Sequence, residues 1–545
     1  MMRELNEQRN QAAFSRAATP FQVFRKIWKL WIVFPWPVVV ILLGSWNLGA
    51  QSLGGGGSGE NTPLTGSSAG ERIARQICAT CHLFPEPDVT DQKTWKEQIL
   101  PRMETRLGVS PPDYRKNPEG ELLKSLKLYP DEPLISKADW EAIVDYYMTR
   151  APVTAPPQDA RPEIQVALKQ FITSPARFRY APPLTTLVKI SPSSHRIFIG
   201  DDRAKALAIV SSTGELLDSI WVENVPISVV ETEQGIYVTA IGSFQPSEVQ
   251  KGALFFYEKK GNKFGSRKVV LKDLPRAVQT EFCDFNRDGK TDFAICLFGD
   301  QRGRFSWFEN VGNDDYKEHV LIEKAGAIHC VAHDFNNDGI PDIGVLMAQE
   351  SEAFYIFTND GKGNLSSQLV FQKQPAFGHN YFELADFDGD GRMDLLVVNG
   401  DNGEYQSSLK KYQGVRIYLS RGTNRFEEAY FFPLNGATKA VARDFDGDGD
   451  LDIAVISFYP DYLKSPRESF VYLENRGGLS FSPSTFRECI SGRWVVMDVG
   501  DVDGDGDLDI VLGSYIRGPT AVPEFLSRTW EKQGPSLMIL KNKRR

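Results

Sequence analysis

Five acidic nonapeptides recur along the C-terminal half of the chain. They are DFNRDGKTD from Asp284, DFNNDGIPD from Asp334, DFDGDGRMD from Asp386, DFDGDGDLD from Asp444 and DVDGDGDLD from Asp501, with starts 50, 52, 58 and 57 residues apart. A near-constant period of this length restricts the fold to a repeat architecture, in which each unit buries its apolar face against its neighbours. Each nonapeptide runs into an aliphatic stretch (DFAICLFG, DIGVLMAQ, DLLVVNGD, DIAVISFY, DIVLGSYI) that reads as a buried strand. Upstream, RIFIGDDRAKALAIV and GIYVTAIGSFQPSEVQKGALFFYEKK have the same strand–turn rhythm without the acidic loop. Two such units and five loop-bearing ones predict an all-β seven-bladed propeller over residues 164–545, closed so that no strand edge is left bare.

Within each nonapeptide, side-chain oxygens fall at positions 1, 3, 5 and 9, and glycine at position 6 permits a sharp turn. The candidate ligands are Asp284, Asn286, Asp288 and Asp292; Asp334, Asn336, Asp338 and Asp342; Asp386, Asp388, Asp390 and Asp394; Asp444, Asp446, Asp448 and Asp452; and Asp501, Asp503, Asp505 and Asp509. Hard oxygen donors on a tight loop suit Ca²⁺, with Mn²⁺ or Mg²⁺ as alternatives. An EF-hand needs Glu at position 12, where this chain has Ile295, Val345, Val397, Val455 and Leu512, so that motif is excluded. Clustered carboxylates repel without a cation; Ca²⁺ is therefore expected, held more weakly by the Asn286 and Asn336 loops. The loops resemble the FG-GAP or VCBS repeats of integrin-like propellers over about residues 276–545. That resemblance implies Ca²⁺ stapling the first strands of each blade.

The N-terminus is of another kind. Arg3, Arg9, Arg16, Arg25, Lys26 and Lys29 precede the uncharged LWIVFPWPVVVILLGSWNLGA. That run has about the ~20 residues a bilayer-spanning helix needs, and the cations before it place the N-terminus in the cytoplasm. The expected order is a basic tail (1–29), a transmembrane or signal-anchor helix (30–50) and a Gly/Ser-rich linker (51–68). Cleavage after LGA as a signal peptide is the alternative. Both readings put the remaining domains in the periplasm or outside.

Residues 69–155 read as a small all-α domain. Ile73 and Ile77 give an apolar face before RQICATCH, a helix is expected through DQKTWKEQIL and past Pro101, and Ser136 with Asp139 suggests a capped closing helix. Cys78, Cys81 and His82 form the CxxCH pattern of c-type haem attachment: two thiols for thioethers, and an imidazole as axial ligand. A thioredoxin-like site needs a βαβ setting, and a zinc ribbon a second Cys pair; neither is present. Met103, on a stripe with Trp95 and Ile99, is the candidate sixth ligand. The block resembles a class I cytochrome c, and the whole layout resembles bacterial cytochrome c domains fused to FG-GAP/VCBS-repeat propellers. Cys283, Cys296, Cys330 and Cys489 read as buried free thiols, with pairing in an oxidising compartment as the alternative.

A net charge of −9 argues against nucleic acid. Residues exceeding the repeat suggest a mixed polar rim: Asp401, Asn402, Glu404, Lys410, Tyr412, Arg416, Tyr459, Asp461 and Arg467, with His379, Lys439, Arg443, Arg493 and Trp494 near a rim or channel mouth. Such a rim could take a polar ligand such as a carbohydrate. His329 and His333 share a strand face and fit either channel packing or a transition metal. No catalytic triad or phosphate-binding loop is present. The expectation is a membrane-tethered haem electron-transfer protein, served by a redox partner protein or quinol, with the propeller as docking or ligand-binding scaffold. A haem-linked dehydrogenase and an adhesion-type binding module are the alternatives.

Overall fold

The structure, a computed structural model, describes residues 68–403 and 409–543. The expected basic tail and anchor, and the linker except Ser68, lie outside the described residues. Among those described, no helix is long and apolar enough to cross a membrane.

The helical block begins at Ala69–Cys78, where Ser68 Oγ accepts the Glu71 N–H at 3.2 Å. This helix crosses the closing helix, Lys137–Arg150, in backbone contact at Gly70. A Cβ there would fall 2.1 Å from the Ala142 carbonyl oxygen, so only glycine fits. Ala74 is the fully buried residue of the first helix, whereas Ile73 and Ile77 pack at the margin of the core. Between them, a continuous helical run starts at Gln92 and widens to a π turn over Trp95–Ile99 before Leu100–Arg106. Pro101 lacks an N–H and its ring crowds the preceding turn, which is where such a bulge relieves the clash. Ser136 caps the closing helix, accepting from Asp139 N at 3.1 Å.

Seven four-stranded antiparallel sheets follow, as expected. Their innermost strands are Thr185–Ile190, Pro226–Glu231, Ala277–Cys283, Ala327–His333, His379–Ala385, Ala437–Arg443 and Trp494–Gly500, for blades 1 to 7. In blades 3 to 7 the second strand, opened by the position-9 Asp, is buried at every residue. The ring closes through an early segment: Phe171–Pro175 pairs antiparallel with Leu537–Asn542 and completes blade 7. Gln165–Val166 adds a parallel fifth strand to blade 6. A helix the sequence reading did not anticipate, Glu524–Gln533, enters between the second and third strands of blade 7 and packs Trp530 against Tyr462.

All seven inner strands share one irregularity. Each carries an extra residue at its second position, between Thr185/Leu187, Pro226/Ser228, Ala277/Gln279, Ala327/His329, His379/Tyr381, Ala437/Lys439 and Trp494/Val496. A bulge of this kind re-aims the side chains that follow it.

The helical block and the propeller form one compact unit. The block sits on the loops joining second to third strands, at the opposite end of the blades from the acidic nonapeptides. Glu119 accepts from Ser247 Oγ (2.5 Å) and Glu248 N (2.8 Å), and the buried Glu248 carboxylate accepts from the Gln301 and Arg302 N–H groups. Gln301 also donates to Tyr129 Oη, and Arg106 pairs with Glu350. Ala376 joins the apolar core of the block and Tyr412 packs against it.

Candidate functional site

In the CxxCH segment, Cys78 ends the first helix, half-buried, while Cys81 is exposed; both are free thiols. Burial pushes the Cys78 thiol up, with a hydrogen bond to Tyr147 opposing it. His82 Nδ1 lies 2.8 Å from the Leu83 carbonyl oxygen. That contact makes Nδ1 the protonated nitrogen and leaves the Nε2 lone pair as ligand. The chain beyond His82 is pinned at three points. Tyr147 Oη donates to Pro85 O and Trp95 Nε1 to Pro87 O, each at 2.9 Å, while Arg75 grips Glu86 with two nitrogens and lies 4.4 Å above the Phe84 ring. Trp95 and Tyr147 touch at 4.1 Å between centroids. Two free thiols three residues apart at the end of a helix, an imidazole with one nitrogen fixed, and aromatic walls beside them form a donor set that fits a covalently held haem. Met103 is half-buried at the edge of the same apolar core, on Leu100–Arg106.

The acidic loops share one hydrogen-bond plan. The position-1 carboxylate accepts the position-6 N–H in every loop: Asp284 from Gly289, Asp334 from Gly339, Asp386 from Gly391, Asp444 from Gly449 and Asp501 from Gly506. Positions 4 and 6 both have positive φ. Position 4 is glycine in the last three loops but Arg287 (58°) and Asn337 (59°) in the first two, a conformation costing about 1–2 kcal/mol for Arg287 and less for Asn337, whose short polar side chain tolerates it. Donor oxygens of Asp386, Asp388 and Asp394, of Asp444, Asp446 and Asp448, and of Asp501, Asp503 and Asp505 lie within 4.8 Å of one another. In the first loop Lys290 instead sits 2.7 Å from Asp288. The donors in the last three loops therefore fit a hard divalent cation best.

The position-9 aspartates, read from sequence as ligands, have a second role. Each is almost wholly buried, and Oδ1 of each accepts an N–H of the third strand; in four of the five, Oδ2 accepts the position-2 N–H. The donors are Phe285 and Asn310 for Asp292, Phe335 and Asn359 for Asp342, Phe387 and Ser420 for Asp394, and Val502 and Asn542 for Asp509. Asp452 accepts from Asn475 N and, in addition, from Tyr472 Oη at 2.6 Å. Burial raises Asp452 and Asp509 to about 6.

The expected polar rim is largely not a rim. His379 is wholly buried with its Nδ1 2.9 Å from Glu352, Trp494 is wholly buried, and Arg493 is 1% exposed beneath Phe458. Asn402, Lys410 and Arg416 are buried as well, and Glu404 lies outside the described residues. Lys439, Arg443 and His329 are on the inner strands. His333 ends its strand against Phe335, four residues from His329, and the two join no carboxylate or thiol metal cluster among the described residues. Cys283, Cys296, Cys330 and Cys489 are free, as read.

Over 196 residues the chain is 26% identical to integrin alpha-4 of Xenopus laevis, covering 32% of this chain and 18% of that one. It is 26% identical over 224 residues to a T-cell immunomodulatory protein homolog of Plasmodium yoelii yoelii, covering 33% and 30%. It thus spans less than a third of either relative. Among solved structures, that of BBS1N in complex with ARL6DN aligns with 70% of this chain and 98% of its own at 12% identity and a TM-score of 0.43. The pattern of the FG-GAP-like repeat matches residues 284–345, 334–397, 386–455 and 444–512, each match beginning at a position-1 aspartate and ending at position 12 of the next loop. Residues 284–512 are therefore a run of FG-GAP-like repeats, built into a seven-bladed β-propeller.

Proposed function

We propose that this chain is an exported c-type haem protein, tethered to the membrane by its N-terminal apolar run, that passes electrons to or from a redox partner protein or quinol. The observation that carries this reading is the free Cys78–Cys81 pair followed by His82, whose Nδ1 is committed to the Leu83 carbonyl. Cys78 and Cys81 would hold the haem as thioethers, and His82 Nε2 and Met103 would be the candidate ligands of its iron. When bound, haem supplies a reversible one-electron couple. The chain's own residues fix the site: Tyr147, Trp95 and Arg75 immobilise the segment after His82, and the contacts through Glu119 and Glu248 hold the block on the propeller. Ca²⁺ in the acidic loops would brace the blades.

The FG-GAP-like repeats favour a second reading, a propeller that serves mainly to bind a ligand or partner. The two separate on the haem. Expressed with a c-type maturation system, the wild-type chain should keep haem through denaturing electrophoresis and show a reduced α-band; Cys78→Ser/Cys81→Ser should lose both. A wild-type chain without covalent haem would overturn the first reading and leave the binding module.

A further inference from the structure

The shared bulge sets up two rings of equivalent positions around the propeller axis. One residue after the bulge come Leu187, Ser228, Gln279, His329, Tyr381, Lys439 and Val496. Two residues further, on the same strand face, come Lys189, Val230, Glu281, Val331, Glu383, Val441 and Asp498. In this second ring the carboxylates of blades 3, 5 and 7 each accept an N–H from the next blade: Glu281 from Ala332, Glu383 from Ala442 and Asp498 from Ile190. Two of them are also neutralised, Glu383 by Arg443 at 2.7 Å and Asp498 by Lys189 at 3.4 Å. These three carboxylates are built into the architecture.

The first ring is different. On blades 4, 5 and 6, His329, Tyr381 and Lys439 form a continuous arc. The His329 and Tyr381 rings lie 4.5 Å apart, and Lys439 Nζ sits 4.8 Å from the Tyr381 centroid. All three side chains are half-buried. Among the described residues, none of the ammonium, the phenol hydroxyl and the imidazole has a hydrogen bond or ion pair. The arc faces the axis: after burial, the charges that act on Tyr381 come from Glu383, Asp498, Arg443 and Glu281, which belong to blades 5, 7, 6 and 3. Burial also holds His329 neutral, down to about 3, so its ring can both donate and accept. Among the described residues of the inner strands, Lys189 and Arg443 each have an ion pair and Lys439 has none, and an unpaired ammonium in such a place is costly.

We propose that His329, Tyr381 and Lys439 form a binding site in the central channel for a small hydroxylated monocarboxylate. Lys439 takes the carboxylate, and Tyr381 and His329 take the hydroxyls. The site does not depend on haem, so it stands or falls separately from the reading above.

The test is calorimetric titration of the calcium-loaded full chain with acetate, L-lactate and D-gluconate, against glycerol and D-glucose as neutral matches. A hydroxylated monocarboxylate should bind and its neutral match should not. Lys439→Met should weaken that binding roughly tenfold to a hundredfold, the loss of one charge-assisted contact. Its unfolding temperature should be unchanged or higher, because an unpaired charge is removed. Should Lys439→Met fail to fold, Tyr381→Phe serves instead and should weaken lactate or gluconate several-fold. No carboxylate binding to the wild type, equal binding of D-glucose and D-gluconate, or undiminished binding in the folded variant would each overturn the proposal.

Discussion

A half-buried histidine held neutral makes stability depend on acidity in a definite direction. His329 is depressed from 6.5 to about 3 by burial against Tyr381 and Phe382, with Lys439 adding to the effect. Unfolded chain takes up a proton near 6.5, while folded chain resists until about 3. The stability associated with the neutral ring is therefore complete above about 6.5 and lost as the pH falls from there toward 3. Urea unfolding between pH 7.5 and 4.5 should show the wild type losing stability faster than His329→Gln, with the two curves parallel above pH 7. Parallel curves throughout would mean that the ring is already charged or hydrated in the folded state. At this scale only half of the loop chemistry is legible in the sequence. The position-1, -3 and -5 aspartates could be read as donors from spacing alone. That Asp292, Asp342, Asp394, Asp452 and Asp509 also tie their loop to the third strand could not, because the accepted N–H comes from a strand 17 to 33 residues away.

Among elements, the acidic loops differ in a way that metal removal should expose. The loops from Asp386, Asp444 and Asp501 pair clustered oxygens with two positive-φ glycines, whereas those from Asp284 and Asp334 have an amide at position 3 and a side chain, Arg287 or Asn337, at the positive-φ position 4. Each filled site at a hundredfold excess over its Kd adds about 2.7 kcal/mol to folding. Chelation should thus lower the unfolding temperature, and equilibrium dialysis should resolve about three tighter and two weaker Ca²⁺ sites, given that ligand charge count tunes affinity. Five sites of one affinity, or an unfolding temperature indifferent to chelator, would contradict the ranking. These loops made the blade count legible, since each marks the turn from first to second strand. The inner-strand bulges were not legible: one extra residue shifts the alternation by one, so a period-2 reading mislocates everything after it. His379, Arg493 and Trp494 look like rim residues from sequence for the same kind of reason: they enter strands, and their burial depends on loops far away in sequence.

At the scale of the whole molecule, closure and docking are both long-range, and neither has a local signature. Phe171–Pro175 is a short isolated segment with no repeat of its own until Leu537–Asn542 lies beside it, and the seating of the helical block rests on partners more than a hundred residues away. The seat can be loosened at one residue. Glu119→Ala would leave the Ser247 hydroxyl and the Glu248 N–H without their acceptor, at roughly 1–3 kcal/mol for each group that stays buried. Glu119 touches no apolar core, so each part should remain folded while the block lifts from the loops of blades 2 to 4. The expected signs are faster proteolysis within residues 152–163 and a larger radius of gyration in solution scattering, with the calcium-dependent unfolding temperature unmoved. Unchanged proteolysis and scattering would place the hold elsewhere, in the apolar contact of Ala376 and Tyr412 with the helical core, where Tyr412→Ala would then be the variant that frees the block. The distinction bears on function. A block fixed over one end of the propeller keeps the CxxCH segment at a constant distance from whatever the propeller binds, whereas a loose one would reach its partner only by swinging on the 152–163 connection.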